Sequence, residues 1–257
     1  MSARSGSARW TETKFVVRGA RVRAGRAPHV SPASTALVEL LGASLVPMVR
    51  EHLGGDVVDL GCGDAPLLGV YGPGSATTTL VDWPSSVHQS ALVDVYADLG
   101  SGLPFTDACF DAALLSDVLE HVPNPAGLLS EARRVLRPGG VLVGSVPYLY
   151  GLHEEPYDFQ RLTRHGLRRH LELAGFDVVH LAPYGGPWDV VVDLLGKQLA
   201  GLRRPGRVLA RGLQLLWLRA RTAPVLRRLV LRRADEFPLG YVFVGRVANR
   251  STDDSGG

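Results

Sequence analysis

Cysteine and lysine are nearly missing from the 257-residue chain. The two cysteines are Cys62 and Cys109. Two thiols exclude a four-cysteine zinc site and argue against a disulfide framework. Of 28 basic residues only Lys14 and Lys197 are lysine. Such an arginine excess often follows nucleotide composition, so the pI alone does not argue for a nucleic-acid partner. The chain also has few long stretches free of charge. Its longest stretch without a charge, Ala65–Val81, contains two prolines and three glycines, which excludes a membrane span there. The opening MSARSGSARW has no apolar signal core. These absences predict a soluble, reduced, cytoplasmic protein. What is present, 46% apolar and 21% charged residues, is ordinary globular usage and excludes disorder and collagen. The length suits one large domain or two small ones.

The net charge of +3 conceals an asymmetry. Residues 1–30 carry seven basic side chains and one acid, whereas residues 31–196 carry 8 basic and 20 acidic ones. Residues 197–234 hold 11 basic side chains and no acid. We expect a basic N-terminal arm (1–30), one domain (31–248) with a helical insertion at 188–235, and a disordered Ser/Gly-rich tail (249–257).

The middle alternates strands and helices. Ser31-Pro32 suits a helix start, with proline at its first position and an end near His52. Short apolar strands are expected at 56–60, 78–81, 91–95, 110–115, 141–146, 176–181 and 241–247. Asn124 and Thr163 can cap helices, the first running to Leu136 and the second ending at Gly175. Strands spaced by helices argue for a doubly wound parallel sheet. Such sheets bind ligands at the carboxyl ends of their strands, near the switch in strand order.

Polar residues gather at those ends. Val58-Asp59-Leu60-Gly61-Cys62-Gly63 places two glycines at a strand-to-helix turn, where backbone can approach a ligand closely. A dinucleotide fingerprint wants glycine or alanine where Pro66 stands. Asp82 ends the next strand and can accept both hydroxyls of a ribose. Asp98 follows the third strand, placed to meet an exocyclic amine. Ser116-Asp117-Val-Leu-Glu120-His121 follows the fourth. Each acid alone could be a solvated loop residue or a cap, and Cys62 a small turn residue; their shared register argues for one site.

The runs VVDLGCGDAPL, LVDW and ADLGSGLPFTDACFDAALLSDVLEHVPNPAGLLSEARRVLRPGG resemble class I S-adenosylmethionine-dependent methyltransferases over residues 34–182. The resemblance implies a Rossmann-like, doubly wound seven-stranded sheet with its last strand antiparallel, and S-adenosylmethionine as methyl donor. It implies that Asp59, Gly61 and Gly63 line the methionine end of the cofactor. Asp82 would bind the ribose, with Trp83 beside the adenine. Asp98 and Leu99 would hold the adenine edge, and Ser116 would lie under the methionine. The run HEEPYDFQRLT, beginning at His153, resembles a subgroup associated with bacterial polysaccharide and secondary-metabolite biosynthesis. No metal is expected.

Methyl transfer from an activated donor needs alignment first, worth roughly 7–11 kcal/mol. An alcohol acceptor also benefits from a general base. His153 is the first candidate, because an imidazole titrates near neutrality. Asp158, Glu154 and His121 are rivals, and His153 and Asp158 could instead fix the loop, with Arg161 pairing to a carboxylate. Tyr148, Tyr150 and Tyr157 could wall an acceptor pocket or simply pack.

In the basic segment, Leu209, Leu213, Leu216 and Trp217 can share a helix face against Arg207, Arg211 and Arg221. Leu226, Leu229 and Val230 can oppose Arg227, Arg228 and Arg232. Residues 205–233 could contact the inner face of a membrane, cover the sheet, or form a homodimer contact. The reading is a methyltransferase acting on an oxygen of a sugar, glycan precursor or secondary metabolite. The alternatives are a nicotinamide-dependent oxidoreductase, opposed by Pro66, and a non-catalytic cofactor-binding protein of the same fold. An Asn/Asp-Pro-Pro-aromatic motif does not follow the fourth strand, which argues against methylation of nucleic-acid amino groups.

Overall fold

The computed structural model describes residues 10–248 apart from Gln89 and Arg203. The first nine residues of the basic arm and the 249–257 tail lie outside the described residues, as do the side chains of Arg204, Val225, Arg227, Leu229 and Leu231.

The chain opens with a hairpin of β1 (Phe15–Arg18) and β2 (Arg21–Ala24). Phe15 is buried and seats the hairpin on α1 (Thr35–His52). Any side chain at Gly42 would lie 2.5 Å from Val22 Cγ1, so the close approach of hairpin and helix requires glycine there. Ser31 caps the 3₁₀ turn Pro32–Ser34 that leads into α1. Residues Pro32–His52 are long and apolar enough to cross a membrane, but 61% of the most apolar window is buried inside the fold.

There follow β3 (Gly55–Leu60), α2 (Leu68–Tyr71), β4 (Ser75–Asp82), β5 (Val95–Tyr96) and β6 (Phe110–Ser116). Next come α3 (Pro125–Val135), β7 (Leu136–Pro147), α4 (Arg164–Leu173) and β8 (Phe176–Tyr184). Three helices, α5 (Pro187–Gly201), α6 (Arg204–Ala220) and α7 (Pro224–Leu231), precede β9 (Gly240–Val247). Seven strands form one sheet in the order β5-β4-β3-β6-β7-β9-β8. Strands β3 to β7 pair parallel, and β9 runs antiparallel between β7 and β8. This is the α/β, Rossmann-like sheet expected from the sequence. Side-chain alternation divides the core between the two faces. Val57, Leu114, Val143 and Val244 pack toward α1, whereas Val58, Leu115, Leu142 and Phe243 pack toward α3 and α4. The strand order reverses between β3 and β6, the place where sheets of this kind hold their ligand crevice.

Two boundaries differ from expectation. The 91–95 strand is reduced to Val95–Tyr96 because the Asp94 carboxylate accepts the Leu80 N–H at 2.9 Å, a bond that a backbone carbonyl would otherwise supply. Strand β7 begins at Leu136, ahead of Pro138-Gly139-Gly140, by pairing with Phe110.

The face of α6 also differs. Arg221, expected among the outward arginines, turns inward, while Leu209 and Leu216 are exposed. The cause is Asp189 on α5, which is buried and accepts from Trp217 Nε1 at 2.7 Å and from Arg221 Nε at 3.0 Å. Gln214, on the same inner stripe, accepts from Ala36 N and donates to Val192 O. Polar bonds, rather than an apolar stripe, thus fasten α6 to α5 and to the start of α1. Asp189→Ala would leave Arg221 half-buried and unpaired. It should lower stability by about 3–5 kcal/mol, read from the urea midpoint.

Candidate active site

The turn after β3 is tied to the end of β4 by main-chain bonds. Gly61 N and Cys62 N both donate to Val81 O at 2.9 Å. Gly63 N donates to Asp82 Oδ2 at 3.1 Å, and Trp83 N to Asp82 Oδ1 at 2.8 Å. Gly61 has φ +73 and an added Cβ would stand 2.7 Å from Val118 Cγ2, so only glycine fits. Asp59 is buried on β3 and accepts from Tyr71 Oη at 2.8 Å. Burial pushes its carboxyl up to about 7; the Tyr71 bond opposes the rise and the Asp82 charge adds to it. Burial also raises Asp82, against its bonds from Trp83 and Gly63. Cys62 is buried and its thiol is pushed up by burial, which leaves it a turn residue and not a nucleophile.

Asp98 lies one residue beyond Ala97, whose N–H donates to Asp82 O. Its carboxylate is exposed and accepts from Gly100 N and Ser101 Oγ, both at 2.8 Å. Leu99 turns its side chain into the core. Here the structure gives Asp98 a capping role in its own loop.

At the end of β6, Ser116 Oγ lies 3.3 Å from Ser145 Oγ, which donates to Asp117 Oδ1 at 2.7 Å. Asp117 adopts φ +55 and pairs with Lys14 Nζ at 2.8 Å. Burial pushes the Asp117 carboxyl up, but Lys14 and Ser145 outweigh it and hold the group below its ordinary value. The N-terminal segment therefore crosses this end of the sheet, and Trp10 Nε1 donates to Ala65 O at 2.8 Å.

The segment after β7 closes over the same end. Gln160 Nε2 donates to Leu119 O and Val122 O, each at 2.9 Å, and Phe159 N to Glu120 O at 2.9 Å. Trp83 packs edge-on against Tyr157 at 4.9 Å, and His88 Nε2 stands 3.2 Å from Glu154 Oε1. Arg161 grips Asp158 at 2.5 and 2.7 Å. That bond holds the Asp158 carboxyl at about 2, so Asp158 is no proton acceptor near neutrality. It instead orients His153, whose backbone N–H it accepts at 3.0 Å and whose Nδ1 lies 3.2 Å away. Burial, then the neighbouring His121, lower the His153 pKa, which keeps the imidazole neutral at pH 7. His121 packs edge-on against it at 4.8 Å.

The structure thus brings Asp59, Gly61, Gly63, Asp82 and Trp83 to one strand end. It brings Ser116, His153 and Asp158 to the neighbouring one. Reading single motifs missed Lys14, Tyr71 and Ser145, and it placed Glu120 in the Ser116–His121 run without giving it a role of its own. Glu120 did carry a signal, an acid inside the apolar run Val118-Leu119 and Val122.

Residues 58–144 match the methyltransferase-domain family. A Mycolicibacterium smegmatis protein named a probable S-adenosylmethionine-dependent methyltransferase is 30% identical over 136 residues, which is 49% of this chain and 53% of that one. The ubiquinone biosynthesis O-methyltransferase of Methylococcus capsulatus is 24% identical over 59% of this chain and 78% of its own length. A protein encoded in a Streptomyces fradiae transposon is 38% identical over 37% of this chain and 30% of its own. The chain spans less than two thirds of the length of several curated relatives it matches. Among solved structures, an S-adenosylmethionine-dependent methyltransferase from Mesorhizobium loti has a TM-score of 0.51 at 16% identity, covering 80% of this chain and 97% of that one. The cyclase SpnF reaches 0.52 at 19% identity, covering 80% and 81%. These likenesses show the fold, and the family match implies S-adenosylmethionine as the cofactor. The residues fit that group: Asp82 offers a buried carboxylate for a diol, and the acidic strand ends suit a cationic sulfur.

An unfolded carboxyl loses its proton near 3.9. Native Asp59 keeps its proton to about 7, so between these values the native state binds more protons. Stability should therefore fall as pH rises from about 4 to about 7. Asp59→Asn should flatten that slope in urea unfolding measured across pH; an unchanged slope would remove the assignment.

Proposed function

We propose that the chain transfers a methyl group from S-adenosylmethionine to an oxygen of a small acceptor, such as a sugar, a glycan precursor or a secondary metabolite. The observation that carries this reading is that the Asp82-tied glycine turn and the neutral His153 imidazole lie at neighbouring strand ends under one covering segment. The cofactor, when bound, supplies a methyl on a sulfonium sulfur whose C–S bond leaves its electron pair on sulfur as the O–C bond forms.

The chain has three tasks. Asp82 accepts the ribose hydroxyls while its backbone bonds hold the glycine turn beside it. Trp83 and Tyr157 wall the crevice with aromatic surface. The acceptor hydroxyl must also lose a proton, which the Nε2 atoms of His153 and His121 beside Glu120 are suited to take where their lone pairs are free, and which passes to water where a shared cation acidifies the hydroxyl instead. Asp158 and Arg161 position His153 and do not touch the reacting atoms. The O-methyltransferase among the relatives supports an oxygen acceptor, and the HEEPYDFQRLT run supports the glycan and secondary-metabolite classes. A nicotinamide reading is not favoured: Pro66 breaks the dinucleotide pattern.

Calorimetry should give binding of S-adenosylmethionine and S-adenosylhomocysteine, and none of NADH. Asp82→Ala should weaken both by about 10–100-fold, the loss of hydrogen bonds to a charged acceptor. Affinity unchanged by that substitution would sink the ribose assignment, and NADH binding alone would sink the whole reading.

His153→Ala should lower turnover on a hydroxyl acceptor by about 10²-fold to 10⁴-fold with cofactor affinity unaltered. Full turnover in that variant would dismiss His153 from proton removal.

A further inference from the structure

Glu120 is 2% exposed, and neither of its carboxyl oxygens has a hydrogen-bond partner among the described residues. Leaving a buried polar group in that state is costly, the more so when it is charged. Two imidazoles face it. His121 Nε2 is 3.8 Å and His153 Nε2 3.9 Å from Glu120 Oε1. Both separations are too long for a hydrogen bond. All three potential donor atoms lie within 4.8 Å of one another.

The far nitrogen of each ring is already engaged. His121 Nδ1 lies 2.8 Å from Tyr157 O, and His153 Nδ1 lies 3.2 Å from Asp158 Oδ2. Arg161 Nη2 also stands 3.5 Å from His153 Nδ1. The Tyr157 carbonyl can only accept, so His121 Nδ1 carries the hydrogen and its Nε2 presents a lone pair toward Glu120. At His153 the Asp158 carboxylate is the nearer neighbour of Nδ1 and favours the same tautomer. Neither Nε2 forms a hydrogen bond with the Glu120 carboxyl. Outer carbonyl and carboxylate partners that fix the ring tautomer are the usual surroundings of metal-binding histidines.

We propose that Glu120, His121 and His153 hold a divalent first-row transition ion whose remaining coordination positions are open to the acceptor hydroxyl. Nitrogen and carboxylate donors at about 2.0–2.2 Å from an ion stand roughly 3.3 Å apart in a tetrahedral set, so the two gaps to Glu120 need to close by about half an ångström and the widest pair by up to about 1.5 Å. Two imidazoles and one carboxylate leave positions free for a further oxygen. The ion cancels the charge of Glu120 and acidifies the bound hydroxyl, as it acidifies bound water to near pH 7. The O–H bond breaks, its pair stays on oxygen, and the proton passes to solvent water. This catalytic part rests on the methyl-transfer reading; the binding part does not.

The test uses the full chain stripped with chelator and titrated with Co²⁺ and, separately, Zn²⁺. One equivalent of Co²⁺ should give visible d–d absorption of a low-coordinate site, and either ion should raise Tm. Both His121→Ala and His153→Ala should lose the absorption while still binding S-adenosylhomocysteine as the parent does. Asp158→Asn, which alters only the support of His153, should bind Co²⁺ about 10–100-fold more weakly. No absorption and no Tm shift in the parent protein would overturn the proposal, as would absorption that survives in both histidine variants. Co²⁺ binding without S-adenosylhomocysteine binding would leave the ion site standing and the methyltransferase reading fallen. The reverse result would remove the ion site alone.

Discussion

Asp59, Asp82 and Glu120 are each at most 7% exposed, and the Asp117 side chain is 19% exposed, all at the carboxyl ends of the parallel strands of the sheet. Concentrating carboxyl groups away from water is expensive unless each finds hydrogen bonds, a cation or a proton. The four groups solve this differently. Asp82 takes backbone N–H groups, Asp59 takes the Tyr71 hydroxyl and keeps its proton to about 7, and Asp117 takes Lys14. Glu120 has no hydrogen-bond partner among the described residues, and burial drives its pKa well above the ordinary range, so it holds on to its proton instead. Much of the site's architecture follows from these four answers. The N-terminal segment crosses the sheet end because Lys14 must reach Asp117. The glycine turn is held where it is because Asp82 needs its N–H.

The same constraint explains why the acids sit with the glycines. In a turn with positive φ at Gly61 and Gly63 the main-chain N–H groups need acceptors: those of Gly61 and Cys62 reach Val81 O, and that of Gly63 meets no strand carbonyl. A carboxylate on the neighbouring strand is the nearest acceptor that can satisfy one of them without closing the crevice. The Gly63–Asp82 bond is therefore both a structural tie and the feature that sets a negative group beside the cofactor's expected position. A cationic sulfur would relieve part of the charge that the fold has gathered there.

Much of this was legible in the sequence, and the reason is local. Glycine turns, caps such as Asn124 and Thr163, and short apolar strands are decided by neighbouring residues, and the structure places them close to where those residues indicate. What was not legible depended on partners far along the chain. Lys14 meets Asp117 across more than a hundred residues, and Asp94 replaces a strand carbonyl by a side-chain bond to Leu80. Helical spacing misassigned α6 because periodicity assumes that the buried stripe is apolar. Here the inward stripe holds Gln214, Trp217 and Arg221, which one buried aspartate and two main-chain groups draw in. Leu209 and Leu216 are left outside because the polar bonds fix the rotation of the helix first.

The division of labour between the two covering segments follows from their anchors. Gln160 and Phe159 bind main-chain groups of the Leu119–His121 turn, so the segment after β7 cannot move without moving Glu120 and His121. His153 is fixed in turn by Asp158 and Arg161 on that same segment. The proton-handling groups therefore travel together as one unit, while the glycine turn and Asp82 belong to the sheet. For a displacement that gains mainly from alignment, the bonds that seat the covering segment on the Leu119–His121 turn hold these two parts in register.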